Sequence, residues 1–179
     1  YDENHPVAPV NPYGWSKLTF ERVLNDWVSS EKQNNALCLR YFNPVGAHKS
    51  GLIGEAPTGV PSNVMPLIAQ VALGLKEQIL IFGDNYSTKD GTCERDYIHV
   101  VDLAEGHIQA VKKIKELSGF KILNLGTGKS TTVKELVSIF EKVSGKKVQS
   151  KISQRRQGDV ARSWADSALA ENVLGMKFE

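Results

Sequence analysis

An α/β fold with parallel strand pairing is the class this 179-residue sequence predicts. Two continuous apolar runs of strand length, Ala36–Phe42 and Phe120–Leu125, lack the polar alternation of a sheet with one wet face. They suit strands covered on both sides. Between and after them come segments of helical periodicity, each bounded by Gly, Pro, Asn or Ser. Alternation of the two patterns is what parallel crossover units require.

In order along the chain, residues 1–10 read as a loop. Asn11 can cap a helix whose first position suits Pro12. Leu18, Phe20, Val23, Leu24, Trp27 and Val28 recur at helical spacing, giving a helix of about 11–32. An Asn-Asn turn leads to the strand Ala36–Phe42, which Asn43-Pro44-Val45-Gly46 ends. Glycine and proline make the stretch to Pro61 irregular. Ser62 can cap a second helix, Val64–Leu75, with Gly74 marking its end. Gln78–Phe82 reads as a short strand, residues 83–91 as a loop, and Arg95–Val100 as another extended segment running into a helix over Val101–Leu117. After Phe120–Leu125, the turn Gly126–Thr131 enters a helix over Thr132–Ser144. Lys147–Ile152 is a weak strand and Ala165–Leu174 a last helix.

Composition narrows the function classes. With 41% hydrophobic and 23% charged residues the sequence is that of an ordinary globular protein. A net charge of +2 gives no electrostatic case for nucleic acid or a membrane surface. The longest apolar run, around Val64–Leu75, is interrupted by Pro66 and Gln70 and is too short to span a bilayer. The polar opening Tyr1–Pro6 lacks the pattern of a signal peptide. Cys38 and Cys93 make no CxxC or zinc spacing, and a reduced, cytoplasmic compartment suits them. The opening loop without an initiator Met, and the close at Leu174–Glu179 as a new apolar segment begins, read as the ends of a piece of a longer protein.

Several motifs fail on inspection. Gly126-Thr127-Gly128-Lys129-Ser130 resembles a phosphate loop, but Leu123 and Thr131 stand where such loops need glycine. Asp84–Asp90 lacks the ligand spacing of a calcium loop, with Tyr86 and Thr88 at ligand places. His5, His48, His99 and His107 form no metal pattern, and there is no nucleophile elbow. Arg155-Arg156-Gln157-Gly158-Asp159 fits either a phosphate and ribose site or a local ion pair.

Asn11-Pro12-Tyr13-Gly14-Trp15-Ser16-Lys17 is the stretch with chemical potential, because Tyr13 is the one tyrosine with a lysine four residues on. At i and i+4 the two side chains share a helix face. An ammonium one turn away favours a phenolate, as does the positive end of the helix. A phenol so placed can take a proton from a sugar hydroxyl.

This stretch is followed by Leu39–His48, Gly83-Asp84-Asn85-Tyr86 with Asp90-Gly91-Thr92, Arg95–Ala104, Asn124–Gly128 and Arg155–Asp159. In that order the pieces resemble the UDP-galactose 4-epimerase family of extended short-chain dehydrogenases/reductases, over nearly the whole chain. Tyr-xxx-Lys and Arg-Asp-Tyr-Ile-His are shared among nucleotide-sugar enzymes, whereas Arg-Tyr-Phe-Asn-Pro-Val-Gly-Ala-His is more specific to the epimerases. The resemblance implies C4 epimerisation of UDP-glucose and UDP-galactose through a 4-keto intermediate, with tightly held NAD. It implies that Tyr13 handles the 4-hydroxyl proton and that Lys17 bonds the nicotinamide ribose, both also touching the cofactor. Tyr41 and Phe42 would lie against the cofactor, and Asn43, Asn63 and Val64 against the substrate. Leu80, Ile81 and Phe82 would seat the uracil, Arg95 and Arg156 the diphosphate, and Asp159 a ribose hydroxyl. Ser163 falls where the family varies between a large tyrosine and a small residue, so the N-acetylhexosamine pair is an expected further substrate. No metal is implied.

The resemblance also implies the later part of a Rossmann-type domain, made by about 1–42 and 98–145, and a smaller α/β substrate domain made by about 43–97 and 146–179. A homodimer is expected, with the helix of residues 11–32 as its interface. The glycine-rich first unit of the family and its Ser/Thr proton partner have no counterpart in this sequence. The piece is therefore expected to be inactive alone. A stand-alone nucleotide-sugar-binding module and a related nucleotide-sugar dehydratase are the other readings.

Overall fold

A computed structural model describes residues 1–59 and 61–179. The first helix, α1 (Pro12–Ser30), begins as its sequence predicts. Pro12 occupies the first turn, and the Asn11 side chain accepts the Gly14 N–H at 2.8 Å. The strand β1 (Asn35–Tyr41) pairs in parallel with β6 (Gly119–Leu125), from Asn35 opposite Gly119 to Tyr41 opposite Leu125. The Phe42 N–H continues this ladder by donating to the Leu125 carbonyl.

Further short parallel pairs form sheets of their own. The strand β2 (Asn43–Val45) lies beside β5 (Tyr97–His99), and β3 (Ile79–Phe82) beside β8 (Ser150–Ser153). A three-stranded patch places β4 (Glu94–Arg95) between antiparallel β7 (Thr131–Thr132) and parallel β9 (Arg162–Ser163). The remaining helices are α2 (Val64–Ala72), α3 (Val100–Lys113), α4 (Val133–Ser144) and α5 (Ala168–Leu174).

Two apolar clusters hold these elements. In the first, Leu123 and Leu125 of β6 pack with Ile98, with Leu103 and Ala110 of α3, with Ala170 and Leu174 of α5, and with Phe178. In the second, Ile68 and Val71 of α2 meet Ile79 and Ile81 of β3, with Val137 of α4 and Val148. Packing thus puts α4 in the second cluster and α5 in the first. A 3.6-residue apolar stripe states that a helix buries one face, not which neighbour covers it.

Several boundaries also differ. The N-cap of α2 is Asn63, not Ser62; its side-chain oxygen accepts no helix N–H, and its amide donates to Glu55 Oε1 at 3.0 Å. That helix ends at Ala72, with Leu73 as its C-cap and Gly74 at φ +73°. The α3 helix starts at Val100, because the His99 ring accepts the Val101 N–H, and it stops at Lys113. Neither β2 nor β9 carries a recognisable pattern. Asn43-Pro44 reads as a turn, and two residues of β9 are too few for periodicity.

The 83–92 loop is built around Asp90. Its carboxylate accepts the Thr92 N–H and hydroxyl at 2.9 and 2.7 Å and the Thr132 hydroxyl from the cap of α4. Burial pushes the Asp90 carboxyl up, but the bonds from Thr132 and Thr92 outweigh this and hold it below its ordinary value. Both Asp90 carboxylate oxygens are thus engaged by hydroxyl and N–H donors of the chain itself. Gly91 closes the loop at φ +82°, and a Cβ there would lie 1.9 Å from the Asp84 carbonyl oxygen. Gly91→Ala is expected to cost about 2 kcal/mol or more of stability, measured by urea denaturation.

Candidate functional site

Two adjoining cavities share Asn43, Ser62 and Asn63, so they form one cleft bent around the start of β2 and the N-terminus of α2. The narrower arm, about 130 Å³, runs between β3 and the segment 93–97. Leu80, Ile81 and Phe82 line it, with Val64 beside them. Arg95, Arg156 and Asp159 supply its charge. The wider arm, about 770 Å³, is lined by Tyr13, Tyr41, Phe42 and Ser163. Every residue singled out from the sequence lines one arm or both, except Lys17.

Lys17 lines neither arm but contacts Tyr13, which lines the wider one. Its Nζ lies over the Tyr13 ring, 5.0 Å from the centroid, as the i, i+4 spacing on α1 requires. Tyr13 itself is 72% exposed, so its hydroxyl is open to a ligand entering the cavity. Tyr41 is half exposed at the end of β1, and its ring meets that of His107 with centroids 5.9 Å apart.

In the narrower arm each charged group has a defined anchor. Arg95 Nη1 donates to the Glu94 and Val160 carbonyls at 2.9 and 2.8 Å, which fixes the guanidinium at the rim. Arg156 stacks over Phe82, 4.7 Å from its centroid, and its Nε donates to Asp159 Oδ2 at 3.0 Å. Of the two readings of the Arg155–Asp159 run, the local ion pair is present, between Arg156 and Asp159. Arg155 turns away from the cleft: it stacks on Tyr86 at 3.9 Å and its Nε donates to Asn85 Oδ1 at 2.7 Å. Arg156 and Asp159 are ion-paired to each other and also face the cavity.

The sequence reading missed two kinds of residue here. Cys93, Leu67, Val133 and Tyr97 complete the wall of the narrower arm. Burial pushes the Tyr97 phenol up to about 12, against an opposing effect of Arg95, so it stays protonated and able to donate. Extended chain alternates its side chains, so Arg95 in the cleft should have implied Tyr97 in the cleft and Asp96 on the inner side.

Asp96 is the second kind, a residue that builds the site without lining it. It is fully buried. Its Oδ1 accepts the Thr127 N–H and hydroxyl at 2.9 and 2.8 Å, and its Oδ2 accepts the N–H groups of Gly128 and Ala165 at 3.0 and 3.1 Å. Its backbone carbonyl accepts the Asn43 N–H, and its own N–H donates to the Ser163 carbonyl. The glycine turn that imitates a phosphate loop therefore already holds an anion, this carboxylate. Gly126 is glycine because a Cβ there would lie 2.6 Å from Asp96 Oδ2 and 2.7 Å from the Ala165 Cβ.

With this geometry in hand, the comparisons with known proteins are specific. The family model described as NAD dependent epimerase/dehydratase family matches residues 1–126. Human UDP-glucose 4-epimerase is 52% identical over 175 residues, and that of Bacillus subtilis 51% over 173. Each alignment covers 97% of this chain and about half of the relative, 50% and 51% respectively, so the chain spans about half the length of the curated relatives it matches. A crystal structure of UDP-glucose-4-epimerase from Stenotrophomonas maltophila, with bound NAD and formylated UDP-arabinopyranose, superposes with a TM-score of 0.96 at 46% identity, over 100% of this chain and 53% of that one. The enzyme from Bifidobacterium longum, in complex with NAD+ and UDP, gives 0.94 at 46% identity, over 99% and 53%. The chain belongs to the NAD dependent epimerase/dehydratase family.

Proposed function

We propose that the protein carrying this chain is a UDP-hexose 4-epimerase that interconverts UDP-glucose and UDP-galactose with NAD. The observation that carries this reading is the bent cleft. A narrow arm with two arginines, an aspartate and an apolar strand meets, at Asn43 and Asn63, a wide arm containing an accessible tyrosine with a lysine over its ring.

The narrow arm suits a uridine diphosphate. Leu80, Ile81 and Phe82 offer β3 backbone and apolar surface to the uracil, Arg95 and Arg156 face the diphosphate, and Asp159 accepts from a ribose hydroxyl. Forked guanidinium groups match phosphate oxygens in shape as well as charge. The hexose then extends past Asn43 and Asn63 into the wide arm, where Ser163 forms part of the wall.

The residues of the wide arm fit the nicotinamide end of NAD. Tyr41 and Phe42 present aromatic and backbone surface at the end of β1, and the Tyr13 hydroxyl and the Lys17 ammonium suit a ribose diol. The pyrophosphate finds no turn here, because Asp96 occupies the N–H groups of Thr127 and Gly128. Bound NAD supplies the oxidation and reduction at sugar C4. Tyr13 takes the proton of the 4-hydroxyl as the ketone forms and returns it when the hydroxyl is remade on the other face. Lys17 stabilises the phenolate in between. Asn43 and Asn63 hold the ketone while the sugar turns over.

On this reading the first apolar cluster carries the cofactor side and the second the nucleotide side. The exposed Trp15, Phe20, Val23 and Trp27 of α1 are the contact surface of a homodimer, working in the cytoplasm in galactose metabolism. Among the described residues no helix is long and apolar enough to cross a membrane.

Ser163 tests substrate range. A hydroxymethyl group leaves room for an N-acetyl substituent, so UDP-N-acetylglucosamine is expected to be epimerised as well. Ser163→Tyr should lower that turnover at least about 100-fold by steric exclusion and leave UDP-galactose turnover within about threefold. Equal loss of both activities would remove the steric argument.

A further inference from the structure

Within this chain, α1, the segment that carries the proposed acid–base pair, buries few apolar side chains. Of its 19 residues only Leu18 and Val28 are buried, so apolar packing defines a line of contact but leaves rotation about the helix axis weakly held. Besides the Asn34 amide, which donates to the Trp27 carbonyl at the end of the helix, a two-point polar contact adds a constraint at its middle. Arg40 Nε donates to Glu21 Oε1 at 2.7 Å, and Arg40 Nη2 donates to Glu21 Oε2 at 2.6 Å.

Tyr13, Lys17 and Glu21 are spaced four residues apart and lie along one row of α1. Arg40 precedes Tyr41 on β1, sits opposite the buried Asn124 of β6, and lines the same wide cavity as Tyr13. Its side chain is therefore rooted in the longest pair of strands. The two charged groups are 25% and 16% exposed, well below the exposure of surface ion pairs, whose contribution is small. A two-point fork also fixes direction, which a single lysine contact does not.

We propose that Glu21 and Arg40 are positioning residues: their fork sets the rotation of α1 and so aims Tyr13 and Lys17 into the cleft. This rests on the epimerase reading for its catalytic consequence, but the geometric part stands alone. A misplacement of about 1 Å in an acid–base group is enough to cost up to about 100-fold in rate.

The test combines two readouts. In the full-length protein, Tyr13 ring resonances, assigned by comparison with Tyr13→Phe, report the Tyr13–Lys17 arrangement through their shifts and their cross-relaxation with Lys17 methylenes. In the full-length protein, kcat and KM for UDP-galactose report the consequence. Glu21→Ala and Arg40→Lys are expected to move the Tyr13 ring signals and weaken the contact with Lys17. They are expected to lower kcat about tenfold and to change KM less than about twofold, because the nucleotide is held elsewhere. Arg40→Lys keeps the charge and is the milder variant, so it remains informative if Glu21→Ala fails to fold. The exchanged pair Glu21→Arg with Arg40→Glu should recover part of both signals, which a purely structural loss would not.

Tyr13 signals unchanged in Arg40→Lys would overturn the inference whatever reaction the protein performs. Moved signals in a protein that does not epimerise UDP-galactose would uphold the positioning and overturn the epimerase reading instead.

Discussion

Asp96→Ala is expected to destabilise the chain by roughly 3 kcal/mol or more, the largest stability effect outside the apolar clusters. The carboxylate accepts three backbone N–H groups and one hydroxyl with no water-exposed surface of its own. Removing it leaves those donors without partners in the interior, and each orphan costs about 1–3 kcal/mol. Asp96→Asn is expected to fall between the two, because one amide oxygen can serve Thr127 while the NH₂ group faces the Gly128 and Ala165 donors. Urea denaturation midpoints check both. A change below about 0.5 kcal/mol for Asp96→Ala would mean that the turn is held by something other than this carboxylate. The site should also suffer, because Asp96 joins the strand ends bearing Asn43 and Ser163 through its backbone and the glycine turn through its side chain.

Tyr13→Phe is expected to have the largest effect on activity. Losing a positioned general base costs about 10²–10⁴ in turnover. Binding of the UDP-hexose should persist, because the groups proposed to hold the nucleotide lie in the other arm of the cleft. Stability should also persist, since the hydroxyl of a side chain 72% exposed contributes little to packing. The expected pattern is therefore a kcat loss with KM and denaturation midpoint near wild type. A proportional rise in KM would place Tyr13 in binding and not in proton transfer.

The fold was largely legible in the sequence, because its main signals are local. The apolar runs of β1 and β6, the Asn11-Pro12 start of α1 and the strand β3 depend on neighbours in the chain, and they fall within one or two residues of expectation. The parts that were not legible depend on distant partners. Nothing local in Arg162-Ser163 says that it pairs with Glu94-Arg95. Nothing local assigns α4 to the β3 cluster or α5 to that of β6.

The candidate site shows the same division. Its chemistry-bearing side chains could be named one by one, but their convergence on one bent cleft is a property of the tertiary structure. The 83–92 loop and the glycine turn kept the look of ion sites because their true occupants, Asp90 with Thr132 and Asp96 with Thr127, are 42 and 31 residues apart. Arg155 and Arg156 are adjacent and equivalent in sequence, yet Tyr86 captures one and Phe82 presents the other.

The central claim is that this cleft inverts C4 of a UDP-hexose by oxidation and reduction at the same carbon. The most direct measurement is NMR of the product formed from UDP-glucose carrying deuterium at C4, incubated with the full-length protein in ordinary water. Formation of UDP-galactose with deuterium retained at C4, slowed at least about 100-fold in Tyr13→Phe, is the predicted result. Absence of UDP-galactose, or a product whose C4 deuterium has been replaced from solvent, would contradict it.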